Sequence, residues 1–587
     1  MDFFEQQEQA RRTTRWLVLW YALAAVSVVA SFCALAVPFG PPLQVYMAIA
    51  AIVGGCILAV SAYRIWQLSE GGEAVAQLLG ARYVDPWKCS PSERRLLNVV
   101  EEMAIASGIA VPPVYQLERE TAINALVAGH TPHHALIIVT HGAVQQLSRE
   151  ELQGVMGHEF SHILNGDMAL NLRLVGILAG LTWFSEQGEK LVYRAAWQAR
   201  GVPSEESSPD AISALLGGLV AFIGFPGSFA ADAIKASISR QREFLADAAS
   251  VQFTRNPESI AGALDSILAL RAPTAVLALG SEQLSHMFFA LSVSRWWSFP
   301  THPPIEERIR RVYPRFPRDD YRATRHGIRR EVAVIDDAGN VVTPPEPGRQ
   351  LVQHVDFAAR LIAELPQPLR EALRQPEGAE AAMFALVGQA NRLTPHVQSL
   401  ARSHMLTLAD LAVPAIKGQK QQERDRFLAD LAALVVSGQR VTLRELVLLT
   451  LLRQRLREGA GQPISTQFQK VEEVAADAHV VVSLIALAAG AGVQAAFDKG
   501  AAVLKLGWRS PMAAEQLTGA TIGAALERLR HLAPFAKPGL LRACVETAGA
   551  DGVFRIAEAE LIRMVAATLD CPLPPAFAAL DPKSWST

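Results

Sequence analysis

The chain has 587 residues and a formal net charge of -2, so it carries no basic surplus with which to hold nucleic acid. Half of its residues are hydrophobic and its mean hydropathy is +0.18. That is too apolar for an ordinary soluble protein and too polar for a polytopic transporter, which leaves a few membrane spans joined to a larger water-soluble part. The length implies two or three domains. The five cysteines, Cys33, Cys56, Cys89, Cys544 and Cys571, form no Cys-x-x-Cys pair and read as reduced thiols.

Residues 16–37 and 43–63 are two uncharged apolar runs, each long enough to cross a bilayer, joined by the Pro/Gly loop 38–42. Arg11, Arg12 and Arg15 precede the first run, Arg64 follows the second, and the loop is uncharged. Both ends of a hairpin over residues 1–70 are therefore expected in the cytoplasm. Residues 70–92 are polar. Leu96, Leu97, Val100 and Met103 give residues 93–106 helical spacing. An extended segment begins over 111–115, and the β-rich run 135–140 is expected to be a strand. Ser148, with Glu151 three residues on, predicts a helix start, and Asn165-Gly166 predicts its end.

Residues 168–184 and 211–231 are again apolar, the first with one internal charge, Arg173. A second membrane hairpin over 168–231, with 186–210 as its outer loop, is preferred to helices packed beneath the catalytic domain. A helix is expected over 237–254 and another over 305–312, behind the turn 301–304. Residues 332–342 suggest a small β-hairpin and 344–348 a linker. From 351 onward the chain is rich in Ala, Leu and Arg and reads as helical. The expected division is thus 1–70, 71–330, 331–350 and 351–587.

His158-Glu159-Phe160-Ser161-His162 places two imidazoles one turn apart on one helix face, where both reach one zinc ion. Glu159 can then take a proton from water held there. Chance supplies such a motif in roughly 0.03 of chains of this composition, so it needs support from context. A catalytic zinc needs a third protein ligand and an open position. Glu243 is the candidate, with Asp247 four residues on accepting an N–H from a ligand histidine. A solvated helix face paired with Arg240 and Arg242 is the alternative reading.

The residues 158–162 with Asp167, then 239–247, then 301–304, occur in the order found in HtpX-like membrane metallopeptidases and the related CAAX prenyl proteases, which residues 1–315 resemble. The resemblance implies a mainly α fold. It comprises a membrane-anchored, gluzincin-like zincin domain with a small β-sheet facing the cytoplasm; the composition beyond 351 adds an all-helical C-terminal domain with no counterpart in that family. It implies zinc held by His158, His162 and Glu243, Glu159 as general base, and His302 near the site as an oxyanion donor or, alternatively, a turn histidine capping the next helix. Asn124 resembles the turn asparagine before an edge strand, either binding substrate or closing a plain turn. The strand 134–140, with Ile137 and Val139, resembles the one on which a peptide aligns. His130, His133, His134 and His141 read as loop and strand-end residues.

Gly154 and Gly157 lie on the zinc-motif helix and weaken it by about 1 kcal/mol each. Residues 548–560 resemble a TerB-like helix–loop–helix. Read as a calcium loop they lack essential oxygen ligands, so no calcium site is expected. The partners expected are a polypeptide substrate, membrane lipid and, through the C-terminal helices, a protein. A membrane scaffold with a retained zinc site is the alternative function.

Overall fold

The computed structural model describes residues 3–198, 208–254, 256–269, 284–290, 302–325, 361–400, 404–437, 441–457, 464–489, 492–534, 536–551 and 556–570. The expected hairpin at 332–342 and linker at 344–348 lie outside them.

Helices α1 (Phe3–Ala36) and α2 (Leu43–Gln67) form the N-terminal hairpin. Further on, α7 (Asp167–Gln198) and α8 (Ser208–Thr254) pack beside it. Among the described residues, four helical segments are long and apolar enough to cross a membrane: Leu19–Phe39, Leu43–Glu70, Asp167–Val192 and Ile212–Thr254. They pack through Val28, Ile57, Leu181 and Ala231, while Leu43, Ile52, Leu215 and Phe222 remain exposed. Glycines set the approach of α7 to its neighbours. A Cβ at Gly180 would lie 2.2 Å from the Ile57 carbonyl oxygen, and one at Gly227 would lie 2.3 Å from that of Leu181. Small residues at such crossings let helix backbones meet where the hydrophobic effect does not drive them together.

Of the polar insert expected at 186–210, the described residues are helical: α7 runs on to Gln198 and α8 begins at Ser208. The two helices expected over 211–231 and 237–254 are one helix of 47 residues. Within it Asp232 and Lys235 pair at 3.2 Å and cancel each other's charge.

The stretch 70–92 holds α3 (Gly72–Leu79) and strand β1 (Arg82–Tyr83). Then follow α4 (Pro91–Ser107), β2 (Val114–Leu117), β3 (Ala125–Ala128), β4 (Leu136–Thr140), α5 (His141–Gln146), α6 (Arg149–Asn165), and later α9 (Pro257–Ala269), α10 (Ile305–Val312) and α11 (Arg318–Arg325). The sheet order is β1-β2-β4-β3, with β2 and β4 parallel and the outer pairs antiparallel. This corrects the expectation of an edge strand over 134–140. β4 is interior, and Ile137 and Val139 are fully buried in the catalytic core, out of reach of a peptide. The edge beside α6 is β3.

The described residues between 361 and 570 form helices around one large core of their own, built on residues such as Leu408, Leu452, Ile485 and Leu561. This domain touches α4, where Arg374 Nη2 donates to Asn98 Oδ1 at 3.3 Å and pairs with Glu101 at 3.7 Å. Within the stretch 548–560 that resembles a TerB-like helix–loop–helix in sequence, residues 552–555 lie outside the described residues and 549–551 form a short 3-10 turn.

Candidate metal centre

Helix α6 carries the motif. Ser148 caps it by accepting from Glu151 N–H, and Glu151 Oε2 accepts from Ser148 N–H at 2.8 Å, a capping box. Glu151 is itself buried, and its other oxygen accepts from Ser266 at 3.0 Å and Tyr321 at 2.9 Å, which ties the helix start to α9 and α11. Gly166, in the left-handed conformation at φ 71°, ends the helix. The two interior glycines have a packing reason. A Cβ at Gly154 would meet the Ile260 backbone nitrogen at 2.6 Å, and one at Gly157 would meet Ser250 Oγ at 3.1 Å. The α9 backbone leaves no room for a larger residue at 154, while a Cβ at 157 fits only if Ser250 on α8 gives by a few tenths of an ångström.

Ligand atoms of His158, His162 and Glu243 lie within 4.8 Å of one another. His158 Nδ1 is 2.9 Å from Asp247 Oδ1, and His162 Nδ1 is 2.9 Å from Asp167 Oδ2. Each carboxylate fixes the proton of its partner on Nδ1, as such partners do for metal-binding histidines. The two Nε2 lone pairs then converge at 3.1 Å. Two nitrogens bound tetrahedrally to one zinc lie about 3.3 Å apart. Glu243 Oε1 is 3.6 Å from His162 Nε2. A cation must stand between these atoms, either a proton or a metal, and the donor set is one that suits zinc.

The electrostatics agree. Burial lowers the His158 pKa. Burial would also lower that of His162, but hydrogen bonds to Asp167 and Glu243 outweigh it and raise the value to about 10, a measure of how strongly the pocket draws positive charge. Glu159 is buried with no partner on either carboxylate oxygen. Burial pushes its pKa up to about 8, with Glu243 adding to the rise and His162 and Arg308 opposing it.

Residues 284–290 run along β3. Leu126 and Phe288 form an antiparallel bridge, and Phe289 N–H donates to Ala125 O at 2.8 Å. Thr140 N–H bonds Asn124 O, and the antiparallel alternation from there turns the N–H and C=O of Ala125 and Val127 away from β4. Asn124 was expected at a substrate or in a turn. Its side chain instead pairs with both backbone groups of Ala290, at 3.1 Å each, and so pins this segment to the strand. His302 reaches the site with both ring nitrogens engaged: Nδ1 is 2.9 Å from Glu243 Oε2, and Nε2 is 3.1 Å from Ser285 O. It stands behind Glu243 in a ring of hydrogen bonds and does not face an open oxyanion position.

Arg308, on α10, was not singled out from the sequence. It is fully buried and grips Asp247 with two nitrogens, at 2.7 and 2.8 Å. Asp167 likewise pairs with Arg242 at 3.1 Å.

Two histidines on one helix, a glutamate from a later helix and a small sheet beside them define a gluzincin-like metallopeptidase, here joined to apolar helices of membrane-spanning length. Residues 90–315 match peptidase family M48. A protease HtpX homolog of Thermoanaerobacter pseudethanolicus is 40% identical over 227 residues, covering 38% of this chain and 73% of that protein. One from Streptococcus pneumoniae strain Hungary19A-6 is 33% identical over 275 residues, 46% of this chain and 88% of that protein. No solved structure matches the chain significantly. The chain belongs to the HtpX-like branch of peptidase family M48 and is a membrane-associated metallopeptidase.

Proposed function

We propose that the protein is a zinc endopeptidase of the bacterial inner membrane, with its catalytic domain in the cytoplasm, that hydrolyses membrane or misfolded polypeptides. The observation that carries this reading is the convergence of the two Nε2 atoms and Glu243 beside an unpartnered, buried Glu159. His158, His162 and Glu243 would hold the zinc, which would supply Lewis-acid chemistry, polarising the peptide carbonyl and acidifying water.

The protein's own residues do the rest. Glu159 takes the proton of the attacking water and passes it to the amine that leaves. Asp247 and Asp167 keep the two imidazoles in the tautomer that presents Nε2. The outward backbone groups of β3 carry residues 284–290 here, so an extended peptide would add to this edge only in place of that segment. The closed environment strengthens each of these interactions by excluding water. A scaffold role is less well supported, since a structural zinc takes a fourth protein ligand and the cluster among the described residues has three members.

The test is cleavage of a casein-like or membrane substrate by the detergent-purified protein. Chelation should abolish cleavage and added zinc should restore it. Full activity after exhaustive removal of metal would refute the reading.

A further inference from the structure

Arg308 poses a physical problem. A buried cation 3.3 Å from Glu243 Oε2 sits next to a proposed zinc ligand, where a like charge weakens metal binding. Its contacts resolve the problem. Nε and Nη2 form a bidentate pair with Asp247, whose carboxylate cancels the charge. Nη1 donates to Phe289 O at 2.6 Å and leans on Glu243 Oε2. The guanidinium also lies 4.8 Å from the Phe289 ring centre, and that ring packs edge-on to His158 at 5.0 Å. One side chain thus touches the partner of the first histidine, the third ligand, and the segment lying on β3.

The two oxygens of Glu243 are consequently unlike. Oε2 is held by His302 Nδ1 at 2.9 Å and Arg308 Nη1 at 3.3 Å, with His158 Nε2 farther off at 3.8 Å. Oε1 faces His162 Nε2. We propose that Arg308 is a positioning residue that commits Glu243 Oε2 and Asp247, so that Glu243 meets the metal through Oε1 alone and coordination positions stay open for water and substrate. This rests on the ligand set proposed above. A lysine could keep the charge but not the fork, because it offers a point charge where the site uses a planar pair of donors.

The experiment measures the zinc affinity of the full-length protein by chelator competition, and the visible spectrum of its cobalt-substituted form, for wild type, R308K, R308Q and H158A. R308K and R308Q should bind zinc 10- to 100-fold more weakly. Their cobalt bands should lose intensity, as expected when a second carboxylate oxygen raises the coordination number. A merely structural arginine would not move that spectrum. Zinc affinity within about twofold of wild type, or an unchanged cobalt spectrum, would overturn the proposal. Loss of the folded core in R308K would overturn it too, since that would make Arg308 a structural residue. H158A separates the two readings. If it binds zinc as wild type does, the ligand set itself is wrong. If it loses zinc while R308K is unaffected, the role of Arg308 alone fails.

Discussion

Charge balance governs the centre at the scale of single residues. Four carboxylates, Glu159, Asp167, Glu243 and Asp247, are buried within one pocket. Asp167 is answered by Arg242 and His162, and Asp247 by Arg308 and His158. Glu159 has no partner. A carboxylate left so is costly to bury, and proteins keep such groups where chemistry needs them. Its carboxyl holds a proton to about pH 8 in the absence of metal. Beside a divalent cation it gives up that proton more readily, and the free carboxylate is then the nearest strong acceptor for a proton from water.

Helix α6 is held by close backbone contact as much as by its caps, which is the element-scale lesson. Alanine favours a helix over glycine by about 1 kcal/mol. At Gly154, however, the added Cβ would lie 2.6 Å from the backbone of α9. G154A should therefore destabilise the protein by about 1–3 kcal/mol. G523A, in the helix Gly519–Leu529 with nothing within 4 Å of the new Cβ, should be neutral or stabilising. Thermal unfolding of the two variants checks this, and a G154A as stable as wild type would contradict it. The sequence told the helix and its motif through cap residues and spacing, because those signals are local. It misled at β4, where the uninterrupted apolar run 135–139 is the mark of a strand buried on both faces. The true edge, Ala125–Ala128, is too short and too uniformly buried to alternate. Arg308 left one trace: it occupies the apolar face of α10, in line with Ile305, Ile309 and Val312.

Over the whole molecule, a bundle of apolar helices packs beside the catalytic domain, and the C-terminal helices pack against that domain through α4. The C-terminal domain meets α4 and the connection between β3 and β4, where His133 is buried and the nearby charges of Arg455, Asp410 and Arg563 act on it; burial above all lowers its pKa to about 3. No local motif announces that packing, since it depends on residues more than 270 positions apart, such as Asn98 and Arg374. By the positive-inside rule, the arginines flanking the first hairpin would place the loop at 38–42 outside the cytoplasm, the orientation proposed above. A compartment-sensitive reporter fused at Gly40 should read as external and one fused at Gly80 as cytoplasmic, and the reverse pattern would overturn the orientation. Zinc content and peptide cleavage of E159Q, determined on a single preparation beside wild type, test the central claim most directly. Both proteins should hold about one zinc per chain, and E159Q should lose cleavage by at least about 100-fold. Cleavage by E159Q at the wild-type rate would contradict it.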